Sequence, residues 1–215
     1  MDNYFDKIFI INLDHRTDRW KQSLLELQKF NIKNYERFSA IKPNLKELPK
    51  NYYDRLEVPS RLDTYKIGAM GCKLSHYEVI KLSKQRNYKN ILILEDDFKI
   101  EDDFISIFNK GISDLTFDWH MLYLGGNNNQ KPQKLNNSKI IHKCIETATT
   151  HAYAINFKVF DLCIKMMLNS GCEIDVFYKK LQKKFKIYCF YPSIIKQRES
   201  ESDIFVGQKM NYIFK

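Results

Sequence analysis

The sequence predicts an α/β domain with a mostly parallel central sheet flanked by helices. Three observations carry that prediction. Short apolar runs alternate with stretches of helical periodicity. Two of the runs, residues 8–11 (IFII) and 91–94 (ILIL), are apolar on both faces, as buried central strands are. Glycine (7) and proline (5) are too scarce for a sandwich of many short strands and tight turns. A chain of 215 residues suits one domain, 1–215, with a substantial core.

The elements follow in order. Residues 7–13 (KIFIINL) form the first strand. Asp14 or Thr17 caps a helix over 16–30, where Trp20, Leu24, Leu27 and Phe30 fall at helical spacing. Residues 37–40 read as a short strand. Residues 42–66 hold Pro43, Pro49 and Pro59 among mixed charges and read as an irregular loop. A helix over 71–86 is followed by a strand over 90–95 (NILILE). Phe104, Ile107 and Phe108 mark a short helix. A strand over 119–124 is closed by Gly125-Gly126, and the polar stretch 127–139 is a loop. Strands over 139–145 and 151–156, helices over 157–168 and 173–185, and a last strand over 187–191 complete the pattern. Residues 205–215 read as a C-terminal tail, and no internal repeat is present.

Composition narrows the function. Lys and Arg number 35 against 26 Asp and Glu, a net +9, which favours anionic partners: nucleic acid, anionic lipid or phosphate-bearing small molecules. The five cysteines form no CxxC pair, so free buried thiols in a reducing compartment are expected. The N-terminus lacks the basic start of a signal peptide, and no window approaches a membrane span, so the expected location is cytoplasmic.

Glu95-Asp96-Asp97 directly follows the most apolar strand. Three adjacent acids buried without partners are very costly, so they face solvent, a cation or basic side chains. Alternation along a strand puts Glu95 and Asp97 on one face and Asp96 on the other. Glu95-x-Asp97 is then a hard oxygen pair suited to Mn²⁺ or Mg²⁺. The bland alternative is an acidic helix start, since Glu101, Asp102 and Asp103 follow. A cation there would assist a strongly anionic leaving group such as a nucleoside diphosphate. Gly125 is a place where backbone approaches a ligand closely.

Seven segments in one order resemble glycosyltransferase family 25, which contains bacterial lipooligosaccharide galactosyltransferases and procollagen galactosyltransferase domains. They are IFIINLDHRTDRW, GAMGCKLSHYEVIK, ILILEDDFKI, WHMLYLGG, THAYAIN, EIDVF and YPSIIKQRESESDI. The resemblance implies a GT-A type fold that uses a divalent metal and a UDP-hexose, with UDP-galactose favoured and UDP-glucose next. It implies Asp97 as main metal ligand, with Glu95 supporting the metal or the ribose. Asp96 would contact the sugar or hold the loop. Asn12, Arg16 and Arg19 would lie beside uridine and phosphate, and Ser75 and His76 would face the donor. The implied acceptor is a saccharide or a collagen-type hydroxylysine. One departure stands out: the family's usual Glu in the helix motif is Ala69 here.

Other residues keep two readings each. Asp175, in GCEIDVF, is a helix N-terminal acid or the base for an acceptor hydroxyl. Asp203 belongs to a polar tail, or is a second metal ligand or acceptor contact, and stands as the alternative to Asp175 as the base. His76 and His151 are core histidines or site residues. Neither has HxxxH spacing to another histidine or any other metal signature, so zinc is not expected. Tyr65, Tyr123 and Tyr153 are core or stack on a sugar or base. Lys179, Lys180, Lys183, Lys184 and Lys186 form a solvated face, or hold an anionic membrane surface or glycan. Two other classes remain as alternatives. One is a basic nucleic-acid binder, although no nucleic-acid module is readable. The other is a metal-dependent phosphohydrolase or nucleotidyltransferase on the three acids.

Overall fold

The computed structural model describes residues 1–44, 46 and 63–199. Its centre is an eight-stranded sheet of order β2-β1-β3-β8-β5-β9-β7-β6. The strands are β1 (Lys7–Asn12), β2 (Tyr35–Ser39), β3 (Asn90–Glu95), β5 (Met121–Asn128), β6 (Gln133–Leu135), β7 (Ser138–Lys143), β8 (Thr147–Asn156) and β9 (Ile187–Phe190). A separate two-stranded ribbon pairs β4 (Phe98–Ile100) with β10 (Ile195–Gln197).

Strand alternation divides the core. Phe9, Ile11, Ile91, Ile93, Tyr153 and Ile155 point to one face. Ile8, Ile10, Leu92, Leu94, Ala152 and Ala154 point to the other. Helices α2 (Asp63–Gln85), α4 (Phe160–Met166) and α5 (Ile174–Gln182) cover the first face through Val79, Ile80, Phe160 and Phe177. Helices α1 (Thr17–Lys29) and α3 (Phe104–Asp114) cover the second through Leu27, Phe104 and Phe108. Burial on both faces is why the central strands read as continuous apolar runs.

Several sequence expectations need correction. The sheet is mixed: β1 runs parallel to β2 and β3, and β5 to β9, but β8 is antiparallel to both β3 and β5, and β7 to both β6 and β9. An apolar run reports burial on two faces, and it is silent on strand direction. The glycine pair does not close a strand; it lies inside β5, where the pairing with β8 shifts register on either side of Gly125. The polar stretch 127–139 contains the end of β5, all of β6 and the start of β7; its residues are mostly exposed, which leaves little apolar signal. The second long helix begins at Asp63, so residues 63–66 of the expected loop are helical; the remainder of 42–66, apart from 42–44 and 46, lies outside the described residues, as does the tail 205–215. The run 157–168 is a 3₁₀ turn followed by α4. The strand at 187–190 is not the last, because β10 follows it.

Candidate functional site

The three acids sit where β3 turns into β4, with Asp96-Asp97 as the turn itself. Main-chain groups hold this turn from several sides. Asp96 N donates to Ile11 O at 3.1 Å, and Ser23 Oγ donates to Asp96 O at 3.1 Å. Arg198, just past β10, donates from its side chain to Asp96 O and from its backbone N–H to Asp97 O, both at 2.6 Å.

Asp96 turns away from its neighbours into the protein. Its carboxylate accepts from Asn12 Nδ2 at 2.7 Å and from Arg19 Nη1 at 2.9 Å. Both members of the Arg19–Asp96 pair are buried. Burial raises the Asp96 carboxyl above its usual value even against the pull of Arg19 and Asn12. Asn12 also accepts from Arg37 Nε through Oδ1 at 2.9 Å. This arrangement ties α1 and β1 to the end of β3.

Glu95, the last residue of β3, and Asp97 in the turn carry the other two carboxylates. Glu95 Oε1 accepts from Thr150 Oγ1 at 2.6 Å and lies 3.3 Å from His76 Nε2. Burial opposes ionisation of Glu95, but the His76 and Thr150 contacts outweigh it and hold the carboxyl below its usual range. Asp97 Oδ2 accepts from Gln197 Nε2 at 2.8 Å, while Asp97 Oδ1 is buried with no hydrogen-bond partner. Burial, and then the neighbouring Glu95 charge, push the Asp97 carboxyl up to about 7. A buried unpartnered oxygen beside a second carboxylate is unfavourable as it stands and favourable around a cation. The donor set, two hard carboxylates, therefore fits Mn²⁺ or Mg²⁺.

A cleft opens at Glu95, with Asp97 buried beside it behind Gln197. Tyr65, Ala69 and Cys72 line it from one face of α2, Asp175 from the first turn of α5, and Glu95 and Gln197 from the strands. Burial raises the Asp175 carboxyl, and Asp175 Oδ1 accepts from Val176 N at 2.7 Å. A carboxylate with a raised pKa is better matched to proton transfer near neutrality. Tyr65 Oη donates to Glu173 Oε1 at 2.8 Å, spanning from α2 to the start of α5. Beneath them the fully buried Lys73 donates to Ser170 Oγ at 2.7 Å and Cys172 O at 2.6 Å. Burial lowers the Lys73 ammonium to about 8. Thr149, which also lines the cleft, has φ 62°, a left-handed conformation that is strained for a β-branched residue.

The structure thus brings Glu95, Asp97, His76 and Asp175 to one region. Other residues from the sequence reading are engaged elsewhere. Arg19 and Asn12 hold Asp96. Arg16 pairs with Asp18 at 2.9 Å on the surface. Ser75 is buried, accepts from Ile41 N at 2.8 Å and donates to Gly71 O at 2.7 Å, which pins the chain after β2 to α2. At Gly125 the close approach is by the chain itself: an added Cβ would lie 2.1 Å from Ile195 O and 2.4 Å from His151 Nε2. His151 is buried in that contact. Tyr123 and Tyr153 are core residues, whereas Tyr65 reaches the cleft. Lys180, Lys183, Lys184 and Lys186 are exposed at the end of α5 and beyond it. Asp203 lies outside the described residues. Sequence reasoning missed Cys72, Thr149, Thr150, Glu173 and Gln197 as cleft residues. The spacing 65, 69, 72, 76 along α2 was the available signal, since these positions share one helix face.

Taken with the mixed sheet and the carboxylate turn at its centre, the chain falls among GT-A-like α/β proteins. A solved glycosyltransferase involved in the glycosylation of the major capsid of PBCV-1 has the same fold, with a TM-score of 0.54 over 92% of this chain and 94% of that one at 8% identity. The family model for glycosyltransferase family 25 (LPS biosynthesis protein) matches residues 5–171, and the chain belongs to this family. It is 35% identical to the Xenopus laevis procollagen galactosyltransferase 1-B over 134 residues, 56% of this chain and 21% of the relative. It is 29% identical to a Homo sapiens protein named inactive glycosyltransferase 25 family member 3 over 133 residues, 56% of this chain and 22% of the relative. The match thus spans about a fifth of the length of these curated relatives. Among the described residues, no helix is long and apolar enough to cross a membrane.

Proposed function

We propose that this protein is a metal-dependent glycosyltransferase that moves a hexose, galactose first and glucose next, from a UDP-sugar to an acceptor hydroxyl. The observation that carries the reading is the buried, unpartnered Asp97 Oδ1 set against Glu95 beside a cleft that also holds Asp175. Family membership supplies the reaction class. Glu95 and Asp97 would hold Mn²⁺, with Mg²⁺ as a substitute. When bound, the ion supplies positive charge that stabilises the departing diphosphate.

The chain's own residues do the rest. His76 and Thr150 orient Glu95, and Gln197 orients Asp97. Asp96, locked by Arg19 and Asn12, keeps the turn in place. Asp175 takes the proton from the acceptor hydroxyl at its carboxylate, in the inverting form of the reaction. Asp203 is a further candidate for metal or acceptor contact. The acceptor belongs to one of two classes. The Xenopus relative's name points to a collagen-type side chain, and the family description points to a lipopolysaccharide sugar. Ala69 leaves its stretch of the cleft wall without a carboxylate, while Glu173 places one in the same cleft. The exposed lysines after α5 would favour an anionic glycan or membrane surface near the acceptor.

The test is UDP release from UDP-galactose, UDP-glucose and UDP-N-acetylhexosamines with Mn²⁺, in wild type and Asp97→Ala. Slow metal-dependent hydrolysis of one donor, lost in the variant, is expected and names the sugar. Folded protein with metal that neither binds UDP nor hydrolyses any donor would overturn the reading.

A further inference from the structure

Cys72 and His76 lie four residues apart on α2, on the face turned to the cleft. Glu95 meets them from the end of β3. One donor atom of each residue (the Cys72 Sγ, a His76 ring nitrogen, a Glu95 carboxylate oxygen) lies within 4.8 Å of the other two. We propose that Cys72, His76 and Glu95 form a second cation site, selective for a thiophilic divalent ion such as Zn²⁺ and overlapping the hard-cation pair at Glu95.

The geometry points that way at three levels. His76 Nε2 and Glu95 Oε1 are 3.3 Å apart. A charge-assisted N–H···O bond is shorter, about 2.7–2.9 Å. Nitrogen and oxygen ligands each ~2.1 Å from a tetrahedral zinc lie about 3.4 Å from one another, which matches the observed separation. The outer contacts have the form that metal ligands need. His76 Nδ1 is 2.9 Å from Tyr153 Oη, and that hydroxyl is 3.0 Å from Tyr178 Oη. With a cation between them, the tautomer that donates from Nδ1 to Tyr153 would turn the Nε2 lone pair to the site, replacing the direct Nε2–Glu95 contact of the metal-free protein. Thr150 Oγ1 donates to Glu95 at 2.6 Å and fixes the carboxylate.

The third level is access. Cys72 and Glu95 both line the cleft, so an ion and a fourth, exchangeable ligand have a path in. Three protein ligands with one open position is an arrangement zinc adopts. On binding, the Cys72 thiol proton leaves to solvent and a metal–thiolate bond forms. The sequence expectation of no zinc rests on the lack of HxxxH spacing or any other metal signature; the partner one turn before His76 is a cysteine. The ligand set separates the two sites: the thiol and imidazole select a soft or borderline ion, the carboxylate pair a hard one. Glu95 belongs to both, so Zn²⁺ competes with Mn²⁺. That consequence rests on the reading of Glu95 and Asp97 given above; the binding itself does not.

The experiment is a Co²⁺ titration of the reduced full chain, read by the thiolate-to-cobalt charge-transfer band and displaced by Zn²⁺. Wild type should show the band at one equivalent, and Cys72→Ala should lose it. Asp97→Ala should keep it, whether or not the protein releases UDP, so failure of one proposal is distinguishable from failure of the other. A second measurement uses wild type alone. Zn²⁺ should slow alkylation of Cys72 at least tenfold by peptide mapping, and Mg²⁺ should not. Absence of the band in folded wild type, a band that survives Cys72→Ala, or alkylation of Cys72 at the same rate with and without Zn²⁺ would each overturn the site.

Discussion

Replacing Asp97 by asparagine should stabilise the metal-free protein at alkaline pH while removing its hard-cation site. The carboxyl is 7% exposed, and its pKa is raised from 3.8 to about 7 by burial and by Glu95. Between those two values the native state holds a proton that the unfolded state has released. Stability from this group is therefore fully present below pH 3.8 and is lost as pH rises to about 7. At about 1.4 kcal/mol per pH unit the loss amounts to roughly 4 kcal/mol above pH 7. Asparagine carries no charge and avoids that loss, but its amide meets the same buried position where Oδ1 lacks a partner, at a cost of about 1–3 kcal/mol. The net gain at pH 8 is about 1–3 kcal/mol. For a chain of this size that is a rise in melting temperature of roughly 2–12 °C. Below pH 4.5 Glu95 acts in the opposite sense, since its lowered pKa makes stability fall with acidification; from pH 5 to 8 the shifted His120, His151, Asp96 and Asp175 act alike in both proteins, so the difference between them reports Asp97. Thermal melts by circular dichroism at pH 5 and 8, with and without Mn²⁺, supply the measurement. The variant should gain over wild type at pH 8 and much less at pH 5. Mn²⁺ at a hundredfold excess over its Kd should recover about 2.7 kcal/mol for wild type only. A variant that melts at or below wild type at pH 8, or with the same offset at both pH values, would refute the argument.

Three further outcomes are expected. Arg19→Leu leaves Asp96 buried without its cation and should cost about 3–5 kcal/mol in urea denaturation; a loss below about 1 kcal/mol would mean that the pair does not hold the turn. Gly125→Ala drives a methyl group against Ile195 O and His151 Nε2, so it should cost about 1–3 kcal/mol and weaken Mn²⁺ binding by displacing β10 and Gln197; unchanged melting and metal affinity would show that β10 moves aside freely. Asp175→Asn should lower kcat by about 10²–10⁴-fold with donor KM and Mn²⁺ affinity unchanged, and the acidic limb of the wild-type kcat profile should lie above the ordinary aspartate range because burial raises this carboxyl; equal turnover in the two proteins would remove Asp175 from proton transfer.

What the sequence by itself determined is local. The runs 8–11 and 91–94 specified buried strands because side-chain alternation and β-branching act over a few residues. Helical spacing specified α1 and most of α2 for the same reason, and the carboxylate turn was legible because three acids after an apolar strand need a compensating partner. The tertiary structure alone decided which partner each acid received: Asp96 went to Arg19 and Asn12, Glu95 to His76 and Thr150, and Asp97 was left with one oxygen unsatisfied. It also decided that β8 enters the sheet antiparallel between β3 and β5, which brings Thr149 and Thr150 to the cleft. And it placed β10 against Gly125, so that Gln197 reaches Asp97. Periodicity encodes which face of an element is buried. Strand direction, sheet order and the pairing of residues from 19 to 100 positions apart depend on long-range packing, which no local pattern carries.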